Sequence, residues 1–242
     1  FIGNTASGAD NTKDQQAGSG LGGAIFAANS PITMQHTRFR ANSAVGGSGA
    51  SPIEQFATSD GGWGAGGAIF ADRASVAATN VTFENNTATG GDGLSGSASN
   101  PYGNGVGGGG KASGGALWMQ GRGEYGGDPV HLDLTKVEFA GNSAVGGSAG
   151  AQGSATLGPN QGGRVAGGAL GVVNWVQVVI NDVTLVKNLG EGGGVGDNAP
   201  GSGSATGTGG VVQGGAAFLD SPASLVATHL TVDRNTARGG KG

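Results

Sequence analysis

The chain has 242 residues and no cysteine, so disulfide bonds and thiolate chemistry are excluded. Glycine accounts for 56 residues, but there are only 7 prolines and glycine does not recur at every third position, which excludes collagen. No apolar run reaches the roughly 18 residues of a membrane span, so we expect no membrane insertion. The net charge of −4 and the scattered Lys and Arg residues argue against nucleic acid as a partner.

Two short phrases alternate along the whole chain, and this alternation is its main sequence feature. The first phrase ends in asparagine three residues after an apolar residue, at FIGN (1–4), FRAN (39–42), FENN (83–86), FAGN (139–142), LVKN (185–188) and VDRN (232–235). The second is GGA and an apolar residue, at GGAI (22–25), GGAI (66–69), GGAL (114–117), GGAL (167–170) and GGAA (214–217). The repeat length of roughly 38–56 residues is typical of repeat architectures.

The residues before each asparagine predict two short strands that meet at a corner. Apolar residues stand ten, eight, five and three positions before it, as with Leu132, Leu134, Val137 and Phe139 before Asn142. Side chains alternate between the two faces of a strand, so the residues ten and eight positions before the asparagine lie on one face, and those five and three before it would lie on the other. All four are apolar, so the chain must bend between the two pairs to bury them on the same side. A third strand follows each GGA phrase. Three short strands per turn predict an all-β parallel β-helix (a solenoid) of about five turns.

Glycine-rich stretches follow each asparagine, for example GDNAPGSGSATGTGG (196–210). They recur at the same point of each repeat, so we expect long loops at one corner of the solenoid. Because the repeats cover residues 1–242, we expect one β-helix segment that is a fragment, or the ordered part, of a longer repeat protein.

The closing asparagines are predicted to form a structural ladder at one corner, where side-chain amides bond to one another and to the turn backbone. The predicted ladder comprises Asn4, Asn42, Asn86, Asn142, Asn188 and Asn235.

The ordered alternation of GGA-[I/L] and F-x-x-N resembles the repeats of chlamydial polymorphic outer-membrane proteins. It also resembles the wider class of right-handed parallel β-helix repeat proteins of bacterial surfaces and secretions. The resemblance implies a right-handed, pectate-lyase-like β-helix that is extracellular or displayed on a bacterial surface and is adhesive or structural. Leu185 and Val232 depart from the pattern by replacing phenylalanine.

Polysaccharide lyases and glycosidases share this fold, so catalytic groups were sought among residues of adjacent turns. The best polar cluster is His131 and Asp133 on one strand face, Glu138 beyond the corner, and Asp182 one turn on. Outward strand positions are commonly charged, so an ordinary solvated face is the favoured interpretation and no catalytic residue is assigned. GGDGL (90–94) is similar to a calcium-binding β-roll loop, but the matching places in other repeats lack a carboxylate. We therefore expect no cofactor, with calcium as the alternative.

An aromatic column is predicted in the strand after the GGA phrase. It comprises Phe26, Phe70, Trp118 and Phe218, with Gly171 interrupting it. Facing outward, it would be a stacking surface for sugars or a partner. We favour a buried column, because a bare aromatic stripe promotes aggregation.

These features predict an extracellular structural or adhesive β-helix module in a surface fibre or a large adhesin, and not an enzyme. The expected partners are further repeats of the same chain, or copies that associate end to end or laterally, with surface glycans as further candidates. The alternative is a glycan-active, pectate-lyase-like enzyme or a carbohydrate-binding β-helix. Acids and aromatics lining a cleft on adjacent turns would favour the alternative.

Overall fold

The computed structural model describes residues 1–11, 17–49, 60–94, 107–121, 129–150, 161–196, 207–220 and 224–242. These residues form 22 strands and no helix. The strands in chain order are β1 (Thr5–Ser7), β2 (Gly20–Leu21), β3 (Ile25–Ala28), β4 (Ile32–Gln35), β5 (Arg38–Arg40), β6 (Ser43–Val45), β7 (Gly64–Ala65), β8 (Ile69–Asp72), β9 (Val76–Glu84), β10 (Thr87–Thr89), β11 (Ala112–Ser113), β12 (Leu117–Gln120), β13 (Val130–Ala140), β14 (Ser143–Val145), β15 (Val165–Ala166), β16 (Leu170–Val173), β17 (Val176–Val186), β18 (Leu189–Glu191), β19 (Val212–Gln213), β20 (Ala217–Leu219), β21 (Ser224–Asp233) and β22 (Thr236–Arg238).

The strands belong to four parallel sheets, and equivalent strands of successive repeats are neighbours in each. The pre-turn sheet contains β2, β7, β11, β15 and β19, and the post-turn sheet contains β3, β8, β12, β16 and β20. The long-strand sheet contains β4, β9, β13, β17 and β21, with β5 also paired to β9. The post-asparagine sheet contains β1, β6, β10, β14, β18 and β22. All-β parallel sheets stacked in repeat order fit a parallel β-solenoid.

The long-strand sheet contains the bend that the sequence predicts. Strand β13 alternates buried and exposed residues up to Thr135, and the alternation changes phase at Lys136. Lys136 has a φ of 54°, and the residues registered with it in the other repeats adopt the same left-handed conformation. Leu132, Leu134, Val137 and Phe139 are therefore all buried on one side of the sheet. The predicted parity change is confirmed.

The hydrophobic core lies between the long-strand and post-turn sheets. Phe39, Phe83 and Phe139 are fully buried and stack on one another with ring centroids 5.0 Å and 4.8 Å apart. Leu185 continues this column in the next repeat and is also buried. The apolar residue of each F-x-x-N phrase therefore fills the same part of the core.

Two details of the predicted strand pattern are wrong. The sequence predicted three strands per turn, but there are four sheets. The residues directly after each asparagine pair with their equivalents instead of opening a loop, as Ser43–Val45 does with Thr87–Thr89. The pre-turn strands are only two residues long. Both sets of short strands adjoin glycine-rich segments, which usually indicate flexible chain, and this concealed the two sheets.

The first glycine of each GGA phrase forms the turn between the pre-turn and post-turn sheets. It has a positive φ in all five repeats, for example +53° at Gly114. A Cβ atom on Gly114 would lie 2.3 Å from the carbonyl oxygen of Leu117. This combination of backbone conformation and close approach requires glycine.

Candidate functional site

The six asparagines that close the F-x-x-N phrases form one hydrogen-bonded ladder. In each step the backbone N–H and the side-chain Nδ2 of one asparagine both donate to the Oδ1 of the next. For Asn86 these bonds to Asn142 Oδ1 are both 2.9 Å long. The ladder runs through Asn4, Asn42, Asn86, Asn142, Asn188 and Asn235.

The same side chains explain the F-x-x-N spacing. From Asn42 onward, each Nδ2 also donates to the carbonyl oxygen of the apolar residue that begins the preceding phrase, as Asn142 does to Phe83 over 2.9 Å. Asn86, Asn142 and Asn188 are almost completely buried, so these bonds satisfy polar groups that water does not reach. The left-handed residue of this corner is the one before the asparagine, such as Asn85 or Gly141, and not the ladder asparagine itself.

A second ladder consists of glycine backbones. The N–H of each glycine donates to the carbonyl of the previous one in nine steps of 2.8–3.0 Å. The glycines come alternately from the segment after a post-asparagine strand and the segment before a pre-turn strand. In order along the ladder they are Gly18, Gly47, Gly62, Gly91, Gly110, Gly147, Gly163, Gly193, Gly210 and Gly240.

The glycine ladder leaves no room for side chains. A Cβ on Gly147 would lie 1.9 Å from the carbonyl oxygen of Gly91, and one on Gly110 would lie 2.0 Å from that of Gly62. Ala9 occupies the equivalent place at the end of the ladder, where its carbonyl accepts a bond from Gly18 and the residue is exposed. The predicted corner of glycine-rich loops therefore has a closely packed base, although most loop residues lie outside the described ranges.

The predicted polar cluster lies on the outer face of the long-strand sheet. His131 and Asp133 are exposed at alternate positions of β13, and Glu138 is exposed beyond the bend. Asp182 contacts His229 on the next strand, with Oδ1 to Nδ1 at 3.2 Å, and does not form an ion pair with His131. Among the described residues no three His, Cys, Asp or Glu side chains are grouped as metal ligands.

Acidic residues of the glycine-rich segments bind backbone amides. Asp92 Oδ1 accepts a hydrogen bond from the N–H of Ser148 over 2.7 Å, and Asp60 Oδ1 accepts one from Gly108 over 2.7 Å. Asp197 lies outside the described residues. The carboxylate of the GGDGL phrase thus connects one repeat to the next.

The predicted aromatic column faces away from the main core but is mostly covered. Phe70 and Trp118 are 2% and 6% exposed, whereas Phe26 is 54% exposed and Phe218 is half-buried. Trp63 covers Phe70 and Trp118 with its ring edge-on, at centroid distances of 5.6 Å and 5.7 Å. These rings form a second apolar cluster on the outer side of the turn.

Two cavities among the described residues were compared with the predicted cleft, and neither is lined by a described carboxylate. One, of about 320 Å³, lies against the second aromatic cluster and contains Lys111 and Arg164. The other, of about 370 Å³, opens at the last repeat and is lined by the buried Leu185 and the exposed Leu230 and Val232. Sequence reasoning missed the first cavity, because Trp63, Lys111 and Arg164 lie in segments that it assigned to loops.

The one clear pKa change among the described ionisable groups belongs to a surface ion pair. A hydrogen bond from Arg38 is the main cause that lowers the pKa of Glu84, and Arg40 adds to it. The Nε of Arg38 lies 3.0 Å from Glu84 Oε2. Arg38 is exposed and Glu84 is partly exposed, so this pair does not resemble a buried acid–base centre.

No known protein family matches the chain, and no curated protein or solved structure matches it. In the part of the chain that the structure describes, no helix is long and apolar enough to cross a membrane.

Proposed function

We propose that this chain is a right-handed parallel β-helix that serves as a structural and adhesive module of a bacterial cell-surface fibre or large adhesin. The observation that carries the proposal is the continuity of its two ladders. The asparagine and glycine ladders pass through all the repeats without a break, so the described frame is one regular rod. Repeat proteins with such nearest-neighbour contacts are suited to length and rigidity.

The resemblance to polymorphic outer-membrane protein repeats supports the surface location. Segments of different length leave the glycine ladder from the same corner and return to it. Recognition proteins commonly join variable segments to a regular frame, because such segments tolerate sequence change while the frame is kept. We assign the adhesive part of the proposal to these segments.

The open face of the last repeat supports association in series. Leu225, Leu230 and Val232 are 46%, 37% and 58% exposed, and they line the apolar cavity there. Strand β21 is an edge of the long-strand sheet, so its outer backbone groups are available for pairing. We propose that another β-helix turn of the same kind covers this face, supplied by further repeats of the same polypeptide or by a second copy.

At the opposite edge, Phe1 and Ile2 are 56% and 71% exposed. Phe1 stacks on Phe39 with a centroid distance of 4.8 Å and so begins the column that Val232 ends. The two faces present the same columns, which is the arrangement that head-to-tail stacking requires.

The test is electron microscopy and size measurement of the 242-residue chain over a range of concentrations. We expect elongation that increases with concentration. Leu230→Lys, at the open face, should suppress it, and Val179→Lys should not, because Val179 is exposed on the side of the rod. A monodisperse monomer at every concentration would contradict the fibre proposal and favour a free-standing binding domain.

A further inference from the structure

The cavity beside the second aromatic cluster lies between the outer faces of the pre-turn and post-turn sheets. Its volume of about 320 Å³ is at the lower end of the range for small-molecule sites, about 300–1,000 Å³. Trp63 and Trp118 form its aromatic wall, while Lys111, Arg164 and Gln213 provide polar groups.

The two cations of the cavity are neighbours on adjacent strands. Ala112 donates its N–H to the carbonyl of Arg164, and Ala112 is registered with Val165, so Lys111 and Arg164 occupy the same column. Parallel strands are about 4.8 Å apart, which brings the two side chains into one neighbourhood. Both are exposed, and neither forms an ion pair with a described residue. Unneutralised like charges this close repel each other, and a bound anion would relieve the repulsion.

The aromatic wall is held in place before any ligand arrives. Trp63 donates its Nε1–H to Ser113 Oγ over 3.1 Å, and its ring stands at 90° to that of Trp118. The ring of Trp118 lies over Gly171, where a Cβ atom would be only 2.2 Å from Trp118 Cε3. The glycine that interrupts the aromatic column therefore makes room for the tryptophan ring.

The Nε1 of Trp118 is an unsatisfied donor in the wall of the cavity. It is buried and has no hydrogen-bond partner among the described residues, although Trp118 lines the cavity. A buried donor without an acceptor is destabilising, so this group requires an explanation such as a water molecule or a ligand.

We propose that this cavity binds an acidic saccharide, one that carries a carboxylate or a sulfate on its sugar ring. The apolar face of a sugar ring would pack against Trp63, which is partly exposed, and its hydroxyl groups suit Gln213 and Ser113. The anionic group would lie between Lys111 and Arg164 and accept charge-assisted hydrogen bonds from both, which are stronger than hydrogen bonds between neutral groups. A nucleotide would place a phosphate beside the same two cations, so guanosine monophosphate is the competing ligand in the test.

This inference deepens the proposed function and rests on its adhesive part, since it names the ligand class of one surface site. The two can fail separately. If the chain elongates but binds no acidic saccharide, the inference fails and the proposed structural role remains. If the saccharide binds and the chain stays monomeric, the site is correct and the fibre proposal fails.

The experiment is calorimetric titration of the chain with three oligosaccharides of one backbone. These are β-1,4-linked tetraglucuronate, sulfated cellotetraose, and neutral cellotetraose, which lacks both anionic groups. We expect the first two to bind at least tenfold more tightly than the third, and their relative affinities distinguish carboxylate from sulfate as the preferred group. Binding should weaken as salt concentration rises.

Two double variants test whether the saccharide binds at this cavity. Lys111→Gln combined with Arg164→Gln should weaken tetraglucuronate binding at least tenfold. The matched control, Lys136→Gln with Lys187→Gln, removes the same charge from exposed positions outside the cavity and should leave binding unchanged. Circular dichroism verifies that each variant is folded. The inference is overturned if neutral cellotetraose binds as well as the acidic oligosaccharides, or if neither acidic oligosaccharide binds at millimolar concentration. It is also overturned if both double variants lose the same affinity, or if guanosine monophosphate binds more tightly than tetraglucuronate.

Discussion

The two sides of this solenoid are packed by opposite means. On one side, the long-strand and post-turn sheets enclose large apolar side chains such as Phe83, Leu117 and Phe139. On the other, glycine backbones contact one another directly, and a Cβ on Gly193 would lie only 1.8 Å from the carbonyl oxygen of Gly147. The first side depends on having side chains and the second on lacking them. Removing atoms should therefore damage the first side, and adding atoms should damage the second.

The difference has an energetic reason. Large side chains stabilise the apolar side by roughly 25 cal/mol for each Å² that they remove from water. The glycine side buries little apolar surface and loses more backbone entropy on folding than any other composition would. Its compensation is the uninterrupted backbone hydrogen bonding of the ladder, which joins the outgoing and returning segments of successive repeats.

The largest expected effect is on the apolar side. Phe139→Ala removes a fully buried ring from the middle of the phenylalanine column and leaves a cavity. We expect the free energy of unfolding to fall by roughly 3–5 kcal/mol, measured by urea denaturation. Phe26→Ala is the control, because this ring is 54% exposed and its loss should cost clearly less. Equal losses would show that the column does not pack as described.

An intermediate effect is expected at the asparagine ladder, at the corner between the long-strand and post-asparagine sheets. Asn142→Leu removes the acceptor of the Asn86 backbone N–H and of one Nδ2 hydrogen of Asn86, while that Nδ2 keeps its bond to the Phe39 carbonyl. Each orphaned buried donor costs roughly 1–3 kcal/mol, so we expect a loss of about 3 kcal/mol in the same urea experiment. Asn181→Leu makes the same change on an exposed side chain and should stay within about 0.5 kcal/mol of the parent. A ladder variant as stable as this control would contradict the structural role.

The smallest effect is expected outside both packed regions, at the Arg38–Glu84 ion pair. Because the pKa of Glu84 is lowered in the folded chain, its contribution is present above the ordinary glutamate pKa of 4.5. The contribution disappears as the pH falls through the lowered pKa. Arg38 is exposed and Glu84 is partly exposed, so Glu84→Gln should change stability at pH 7 only slightly and less still in high salt. A large loss that persists in high salt would show that this pair is part of the packed structure.

The apolar side could be predicted from the sequence because its apolar residues recur at fixed distances from each closing asparagine. Leu132, Leu134, Val137 and Phe139 share offsets with their equivalents in every repeat, and the change of parity locates the bend. The asparagine column could be predicted for the same reason, since Asn142 and Asn188 follow their strands at a fixed distance. Side-chain periodicity was enough to align the repeats and place their inward faces.

The glycine side could not be predicted, because a residue without a side chain has no inward or outward phase. The available signal was positional: a glycine pair follows directly after the SAV or TAT triplet, as at Gly90 and Gly91, and another pair precedes the next turn, as at Gly109 and Gly110. The acidic-saccharide site was missed for a related reason. Lys111 and Arg164 are far apart in sequence, and only the pairing of two-residue strands brings them together.

Two adjacent glycines allow the most direct test of the comparison. A Cβ on Gly193 would clash with the backbone of Gly147, whereas the nearest atom to a Cβ on Gly194 is the carbonyl oxygen of Lys241 at 3.9 Å. Urea denaturation of Gly193→Ala and Gly194→Ala compares the same added methyl group one residue apart. We predict that Gly193→Ala lowers the free energy of unfolding by about 3 kcal/mol or more, since backbone cannot yield as a side chain does, and that Gly194→Ala changes it by less than about 0.5 kcal/mol. Small and equal effects would contradict the claim that this side of the solenoid is held by closely packed glycine backbones.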